Sequence, residues 1–143
     1  TLSKALGLAA IRLGYMISNE EIINIINNVR SPYNLNAVTQ YIGAMALRKK
    51  DEITGYVEEV KKERDFLFGE LGELPFEVYK SHANFIFFSS GIDDLDKRLK
   101  EDGILIRSFS GDLKGYYRVT VGSRAENTEL IKSLKEIVKN EKS

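Results

Sequence analysis

Cysteine is absent from the 143-residue sequence, and histidine occurs once, as His82. Without cysteine the protein has no disulfide framework, no thiolate metal site and no cysteine nucleophile. One histidine is too few for a zinc site built from several imidazole rings. These absences predict a protein without a metal centre, whose chemistry depends on other side chains.

Excess charge of one sign is also lacking, because 21 lysines and arginines balance 21 aspartates and glutamates. The protein therefore has no global field that would attract nucleic acid or an acidic membrane. No apolar run approaches the roughly 18 residues of a membrane span, and no signal segment opens the chain. We expect a soluble, cytoplasmic protein that binds neither nucleic acid nor membranes. Because the chain starts at Thr1, inside a motif considered below, and not at methionine, we also expect a piece of a longer protein.

The N-terminal third alternates between irregular and helical patterns. Small residues dominate residues 1–14, which predicts an irregular turn and no helix. The apolar run 13–18 predicts a short buried strand. A cap at residues 18–19, two glutamates and a run of isoleucines predict a helix that ends near Arg30. Pro32 interrupts this pattern, since proline disfavours the helical conformation at the residue before it.

The remainder of the chain changes from helical to mixed periodicity at Pro75. Apolar residues recur with helical spacing from Asn36 and again over residues 54–74, where charged positions line the opposite face. Aromatic and β-branched residues then dominate several short segments. These segments predict strands at 76–80, 84–88, 104–106 and 116–121, and helices at 93–102 and 125–140.

This organisation predicts an α/β chain in three parts. Residues 1–54 form the first part, and a connecting helix covers residues 55–75. Residues 76–143 then form a compact α+β domain, because four strands and two helices of this length bury one shared core.

The strongest candidate for chemistry is a lysine among small and apolar residues near the start of the chain. Desolvation favours the neutral, nucleophilic form of an amine, so the surroundings of Lys4 favour a Schiff-base lysine. Thr1, Ser3 and Arg12 add two hydroxyls and a guanidinium, which together suit a phosphate group. From spacing alone, a surface lysine at a frayed terminus and an arginine in a structural ion pair remain alternatives.

Five segments carry a resemblance to a known family. The first is SKALGLAAIRLGY at residues 3–15, of the form S-K-x-x-G-x-x-G-x-R-x-G-Y, with Ala10 where many members have glycine. The others are SPYNLN at 31–36, ANFI at 83–86, GILIRSF at 103–109 and YRVTVGSRAEN at 117–127. In this order they resemble the fold-type I pyridoxal-phosphate (PLP) aminotransferases, and the histidinol-phosphate aminotransferases in particular. The resemblance covers nearly the whole chain but only the C-terminal portion of that family.

The resemblance implies a fold and a cofactor site. Residues 1–54 would be the tail of the large PLP-binding domain, and residues 76–143 the small C-terminal domain of fold type I. Lys4 would form the Schiff base with PLP and then act as general base and acid on the substrate. Ser3 and Arg12 would hold the cofactor phosphate, with Thr1 a weaker candidate for the same contact.

Two arginines are candidates for substrate binding. By resemblance, Arg118 would clamp the carboxylate of glutamate or 2-oxoglutarate, and a strand is a rigid platform for such a contact. Arg107 would meet the phosphate of a phosphorylated amino or keto compound. For each arginine, an ion pair at a strand end is the competing interpretation.

Other matching positions suggest supporting roles. Asn84 resembles an asparagine that faces the active site and forms a structural hydrogen bond. Tyr33 and Asn34 match a loop near the dimer interface of the family. We interpret His82 as a strand-edge residue and not as a catalytic one.

The resemblance also shows what the sequence lacks. The aspartate that pairs with the pyridine nitrogen, the ring stacked on the cofactor and further phosphate contacts come from an N-terminal part that no segment here matches. We therefore expect a homodimeric aminotransferase of histidine biosynthesis, present as an incomplete chain that does not transaminate alone. A threonine-phosphate decarboxylase or another related PLP enzyme, and a non-catalytic folding or dimerisation domain, are the alternatives.

Overall fold

The computed structural model describes residues 2–141, without the side chains of Ala5 and Lys50. The chain divides into two compact units, Thr1–Val57 and Glu58–Ser143. Four helices and a 3-10 turn begin in the first unit: α1 (Leu2–Ala5), the 3-10 turn Ala9–Ile11, α2 (Glu20–Val29), α3 (Ala37–Arg48) and α4 (Lys50–Gly72), which ends in the second unit.

Two asparagines begin the helices α2 and α3. The side chain of Asn19 accepts a hydrogen bond from the Ile22 N–H at 3.0 Å, and that of Asn36 accepts one from the Thr39 N–H at 2.8 Å. Each cap satisfies a backbone donor that has no partner within its helix. The predicted helix that ends near Arg30 is α2, whose last residue, Val29, lies three residues before Pro32.

The first 18 residues differ from the sequence-based prediction. The irregular turn predicted for residues 1–14 contains one helical turn, α1, because Leu6 donates its N–H to the carbonyl of Leu2 at 3.2 Å. The strand predicted at 13–18 is wrong, since these residues have no ladder partner and no strand in the structure. Their side chains are largely exposed, with Ile17 at 86%. An apolar run without a neighbouring strand cannot form a sheet.

The second unit contains a four-stranded antiparallel sheet. Its elements are β1 (Glu77–Tyr79), β2 (Phe85–Ser89), α5 (Leu95–Glu101), β3 (Arg107–Ser108), the 3-10 turn Gly111–Leu113, β4 (Tyr116–Thr120) and α6 (Arg124–Glu141). The strand order is β1-β2-β4-β3. Strands β2 and β4 pair over five residues, with Phe87 opposite Arg118 and Phe88 opposite Tyr117. This register fixes which side chains share each face of the sheet.

One face of the sheet and three helices enclose the hydrophobic core. Alternate residues of β2 and β4 point into the core, and helices α4, α5 and α6 contribute the rest. The buried set consists of Leu67, Leu71, Ile86, Phe88, Leu95, Leu99, Tyr117, Val119, Val121, Leu130, Ile131, Leu134 and Ile137. The second unit is therefore a two-layer α/β arrangement with its own core.

Buried polar groups fix the beginning of α6. The Glu126 carboxylate accepts a hydrogen bond from the Ser123 N–H, and the Ser123 hydroxyl accepts one from the Glu126 N–H. This reciprocal pair is a capping box. Asn127 is 2% exposed, and its amide bonds both the N–H and the carbonyl of Gly122 at 3.0 Å. It also donates to the carboxylate of Glu63 at 3.1 Å, and Arg124 donates to the same carboxylate at 3.0 Å. These bonds tie α6 to α4 within the second unit.

The strands of this unit largely follow the sequence pattern, with one shift. Strand β3 was predicted at 104–106 but covers Arg107–Ser108. Ile104 and Ile106 pack against the core, whereas Arg107 is the residue that lies opposite Arg118 in the ladder. The sequence pattern thus predicted the strand at the apolar residues, whereas the strand consists of the two polar residues that follow them.

None of the helices in residues 2–141 combines the length and the apolar composition that crossing a membrane requires. Within the same described range, no group of three or more histidine, aspartate or glutamate side chains is arranged to hold a metal ion.

Candidate functional site

The lysine segment is tied to the arginine segment by backbone hydrogen bonds. Leu2 is 6% exposed and donates its N–H to the carbonyl of Leu13 at 3.2 Å. The Leu2 carbonyl in turn accepts from Leu8 at 3.4 Å. Because Ser3 and Lys4 follow Leu2 directly and Arg12 precedes Leu13, this ring of bonds brings the predicted phosphate residues into one loop. Thr1, the weaker candidate, lies outside the described residues.

Lys4 itself differs from the expectation of a poorly solvated amine. The residue lies on α1 and is exposed, while Ser3 beside it is half-buried. The expected desolvation of Lys4 by its small and apolar neighbours is therefore wrong for this chain.

Arg12 occupies an unusual backbone conformation. Its φ and ψ are 53° and 34°, in the left-handed region that arginine seldom adopts. Its N–H donates to the Ala9 carbonyl at 3.3 Å and closes the 3-10 turn. The loop therefore turns sharply at Arg12 and aims the chain back toward Leu2.

Arg12 lines a cleft of about 500 Å³ in the first unit. The other lining residues are Gly14, Arg30, Tyr33, Asn34, Leu35 and Gln40. Two guanidinium groups on one cleft favour an anionic ligand, because arginine presents a fork of donors that matches phosphate and carboxylate. The structure thus brings Tyr33 and Asn34, predicted near a subunit interface, to the same cleft as Arg12.

The two candidate substrate arginines lie side by side on the sheet of the second unit. Arg107 on β3 is directly opposite Arg118 on β4, and Phe87 on β2 lies opposite Arg118 on the other side. All three belong to the sheet face turned away from the core. Like charges opposite each other in a ladder are unfavourable unless other groups compensate. An anion bound between them would supply that compensation.

Aromatic rings support both guanidinium groups. The Arg118 guanidinium lies 5.0 Å from the centre of the Phe85 ring, and that of Arg107 lies 5.1 Å from the centre of Phe109. Such cation–π contacts hold a cation in place without neutralising its charge. Among the described residues, neither arginine forms an ion pair with a carboxylate, so an anionic ligand would not have to displace one.

The same face carries stacked tyrosine and phenylalanine rings. Tyr116 stacks on Phe87 with ring centres 5.3 Å apart, and Tyr79 lies 6.3 Å from Tyr116. Hydrogen bonding with Tyr116 and with Glu77 raises the pKa of the Tyr79 hydroxyl to about 12. This aromatic strip flanks the arginine pair and makes the face partly apolar.

Asn84 and His82 lie in the connection between β1 and β2. The carbonyl of Asn84 accepts a hydrogen bond from the Val121 N–H at 2.9 Å, which extends the β2–β4 ladder by one pair. His82 is exposed and lines a cleft of about 260 Å³ with Arg64, Asp65, Phe68, Lys80 and Ser81. Asn84 thus lies immediately before the first residue of β2, and because this bond is made by its backbone, the role of its side chain stays a prediction.

Sequence reasoning missed three residues around Arg12. Arg30 lines its cleft, the Thr39 hydroxyl donates to the Ile11 carbonyl at 3.0 Å, and Gly43 lies against Leu13. A glycine inside the helical pattern of α3 was a usable signal, since such a glycine commonly has a packing reason. Arg30 follows directly after α2 and had no signal of its own.

Comparison with known proteins identifies the family. Residues 1–134 match the family described as aminotransferase class I and II. The chain belongs to this family.

Several relatives of the chain carry the name histidinol-phosphate aminotransferase. The histidinol-phosphate aminotransferase of Caldanaerobacter subterraneus subsp. tengcongensis is 44% identical over 142 residues, covering 96% of this chain and 40% of that protein. The crystal structure of the histidinol-phosphate aminotransferase from Clostridium acetobutylicum has a TM-score of 0.81 and 28% identity, over 97% of this chain and 44% of that one. The Sinorhizobium meliloti histidinol-phosphate aminotransferase, solved in complex with pyridoxal-5′-phosphate, has a TM-score of 0.79 at 24% identity, over 98% and 40%.

These likenesses confirm the fold class predicted from the sequence. The chain has the α/β fold of the C-terminal part of fold-type I aminotransferases. It spans about two fifths of the length of the curated relative it matches.

The donor set of the first unit fits a phosphorylated aldehyde such as PLP. Lys4 offers an exposed amine for a carbonyl carbon, and Ser3 and Arg12 offer a hydroxyl and a guanidinium for a phosphate. The bond between Leu2 and Leu13 keeps these three groups on one loop. The residues therefore fit PLP in the chemistry of their donor groups and in their position on a single loop.

Proposed function

We propose that the chain supplies the lysine segment and the small C-terminal domain of a PLP-dependent histidinol-phosphate aminotransferase. The observation that carries this proposal is the loop in which Leu2, bonded to Leu13, joins Ser3 and Lys4 to Arg12. The 44% identity to a histidinol-phosphate aminotransferase supports it. The reaction would transfer an amino group from glutamate to imidazole-acetol phosphate and yield histidinol phosphate.

PLP, when bound, supplies an electron sink for negative charge at the substrate α-carbon. Ser3 and Arg12 would hold its phosphate, and the Lys4 amine would hold its aldehyde carbon. The Nζ of Lys4 would also take the proton from the substrate α-carbon and return it during amino transfer.

The arginine pair would bind the two substrates. Arg118 would take a carboxylate of glutamate or 2-oxoglutarate, and Arg107 would take the phosphate of the phosphorylated substrate. Their adjacent positions across β3 and β4 support this division, since two neighbouring guanidinium forks let one site accept a carboxylate or a phosphate in turn. Asn84 would hold the end of β2 behind them.

We further propose that the complete enzyme is a cytoplasmic homodimer and that the chain of 143 residues alone does not transaminate. The first unit exposes a set of apolar side chains that further polypeptide would cover: Tyr15, Met16, Ile17, Ile25, Val29, Val38, Tyr41 and Leu47. Exposed apolar patches of this kind commonly mark interfaces. Aspartates that could pair with a pyridine nitrogen do not line the Arg12 cleft in the described part of the chain.

Reductive trapping tests the proposed lysine. The complete gene product that carries these residues, and the 143-residue chain, are each mixed with PLP, reduced with borohydride and mapped by peptide mass spectrometry. We expect a phosphopyridoxyl adduct on Lys4 in the complete product and nonspecific labelling in the 143-residue chain. Lys4→Arg is the matched variant that keeps the charge and loses the adduct. Labelling of the complete product that avoids Lys4 would favour the non-catalytic domain.

Steady-state kinetics test the two arginines separately. Arg118→Gln should raise KM for glutamate by about 10- to 100-fold, the usual effect of losing one charge-assisted hydrogen-bond pair. Arg107→Gln should raise KM for the phosphorylated substrate by a similar factor and leave the KM for glutamate nearly unchanged. Release of carbon dioxide from threonine phosphate instead of amino transfer would favour the decarboxylase.

A further inference from the structure

The left-handed conformation of Arg12 needs external support. A φ of 53° is sterically unfavourable for a residue that has a Cβ atom. The 3-10 turn before Arg12 stabilises this conformation with one backbone hydrogen bond, from the Arg12 N–H to the Ala9 carbonyl at 3.3 Å. Arg12 is exposed, so burial of its own side chain does not hold the turn, and its guanidinium adds one hydrogen bond of 3.5 Å, to the Ala9 carbonyl within the same turn. Its two sequence neighbours, Ile11 and Leu13, must therefore be fixed by other parts of the first unit.

Thr39 fixes the residue before Arg12. Its hydroxyl donates to the Ile11 carbonyl at 3.0 Å, and the residue is 6% exposed. Thr39 is itself anchored, because its N–H donates to the Asn36 side chain that caps α3. The carbonyl direction at Ile11, and with it the peptide plane that enters Arg12, is thus set by the first turn of α3.

Gly43 fixes the residue after Arg12. It lies one helical turn beyond Thr39 on α3 and is buried. A Cβ atom at this position would overlap the Cδ2 atom of Leu13, so the absence of a side chain lets Leu13 seat against the helix. The Leu13 carbonyl in turn accepts from Leu2, the residue that precedes Ser3 and Lys4.

We propose that Thr39 and Gly43 are positioning residues that hold Arg12 in its left-handed conformation for binding the cofactor phosphate. Neither residue lines the Arg12 cleft, so each acts through its contact with Ile11 or Leu13. This inference rests on the proposed function, because it assigns the phosphate of PLP to Arg12. It predicts that substitutions of Thr39 or Gly43 on α3 weaken binding of the cofactor phosphate and leave the Lys4 amine able to react.

The test compares PLP with pyridoxal, which lacks the phosphate. Reductive labelling of Lys4 in the complete gene product is measured as a function of the concentration of each aldehyde. In Thr39→Val we expect the concentration of PLP that gives half-maximal labelling to rise by about tenfold, the effect of one weakened charge-assisted hydrogen bond. The concentration for pyridoxal should not change. Thr39→Ser, which keeps the hydroxyl, should restore the value for PLP.

Gly43→Ala gives a second, independent variant. It should weaken PLP labelling in the same direction, because a methyl group at position 43 displaces Leu13. Gly69→Ala on α4, where an added Cβ meets no atom within 4 Å, is the matched glycine control. Thr128→Val is the matched threonine control, since Thr128 also donates its hydroxyl to a backbone carbonyl, at 2.7 Å to Arg124, but lies on α6.

The outcomes separate the two proposals. Absence of a Lys4 adduct in the unsubstituted protein would overturn the proposed function and the inference together. A normal Lys4 adduct with equal PLP dependence in Thr39→Val and Gly43→Ala would overturn the inference alone. Equal losses for PLP and pyridoxal would also overturn it, because they would show general loosening of the first unit and no specific effect on the phosphate.

Discussion

The two units of the chain bury their apolar side chains to very different extents. In the second unit, residues such as Leu67, Ile86 and Leu134 have no exposed surface. Among the apolar side chains that the structure describes as buried, Leu2 is the one in the first unit. Helix α2 has none, although its sequence is rich in isoleucine.

This difference separates two ways of holding functional residues. In the second unit, the arginine pair lies on a sheet whose opposite face is closed by helices, so the core fixes its register. In the first unit, Arg12 and Ser3 lie on a loop held by hydrogen bonds such as those from Leu2 to Leu13 and from Thr39 to Ile11. The lysine loop therefore depends more on hydrogen bonds than on buried apolar side chains.

The largest expected effect comes from the core of the second unit. Leu134→Ala removes a fully buried side chain between α6 and the sheet, and should lower the free energy of unfolding by about 3–5 kcal/mol. The matched change in the first unit is Ile25→Ala, at a side chain that is 57% exposed, and should change it by less than about 0.5 kcal/mol. Urea titration followed by circular dichroism measures both.

Comparable losses in Leu134→Ala and Ile25→Ala would contradict the contrast between the units. Such a result would mean that the exposed face of α2 is covered in solution, most simply by a second copy. Repeating the titration at several protein concentrations distinguishes the two cases, because stabilisation by association depends on concentration.

The next effect concerns the polar network at the beginning of α6. Asn127→Ala leaves the N–H and carbonyl of Gly122 and one oxygen of Glu63 without their buried partner. We expect a loss of about 2–3 kcal/mol in the free energy of unfolding. Asn140→Ala, at an exposed position of the same helix, is the control and should have little effect. A small loss in both variants would show that the network is solvated.

Local signals predicted most helices and strands of both units. The cap at residues 18–19, Pro32 and Pro75 gave helix ends, and the aromatic and β-branched run at residues 84–88 gave β2. These features succeed because they depend on neighbouring residues. The apolar run 13–18 failed because a strand also needs a partner, which no local pattern supplies.

The candidate site was predictable in its residue types but not in its environment. Family resemblance supplied Ser3, Lys4 and Arg12, and the structure places them on one loop. The exposure of Lys4 could not be read from its small neighbours, because burial depends on what packs over them. Arg30 was missed for the same reason, since only folding of the loop around Tyr33 brings it to the cleft.

The segment at 117–127 shows how a family signature and a structural role coincide. Its Gly122, Ser123, Glu126 and Asn127 form the turn and cap between β4 and α6. An added Cβ at Gly122 would lie 2.9 Å from the Glu126 carboxylate, so a larger residue there would have to displace the side chain that caps α6. Much of this motif therefore builds the turn and the helix cap that follow Arg118.

The same network predicts an acid-dependent loss in the second unit. Hydrogen bonds from Arg124, together with the amide of Asn127, hold the pKa of Glu63 below its ordinary value, against the opposing effect of burial. A lowered pKa in the folded state stabilises the protein above the ordinary carboxyl range, and this contribution is lost as the pH falls through the folded pKa. Glu63→Gln should flatten the dependence of the melting temperature on pH between neutral and acidic conditions. An unchanged slope would exclude Glu63 as a contributor.

The smallest expected effect lies at high pH, on the sheet face that carries the arginine pair. Hydrogen bonding to Tyr116, then to Glu77, raises the pKa of Tyr79 to about 12, so the neutral hydroxyl is the favoured form in the fold. Stability from this interaction is present below the ordinary tyrosine pKa and is lost as the pH rises toward 12. Ultraviolet titration of tyrosinate should lose a late step in Tyr79→Phe and keep it in Tyr33→Phe, whose residue is 99% exposed in the first unit. Loss of the late step in Tyr33→Phe instead would assign the raised pKa to Tyr33 and contradict its assignment to Tyr79.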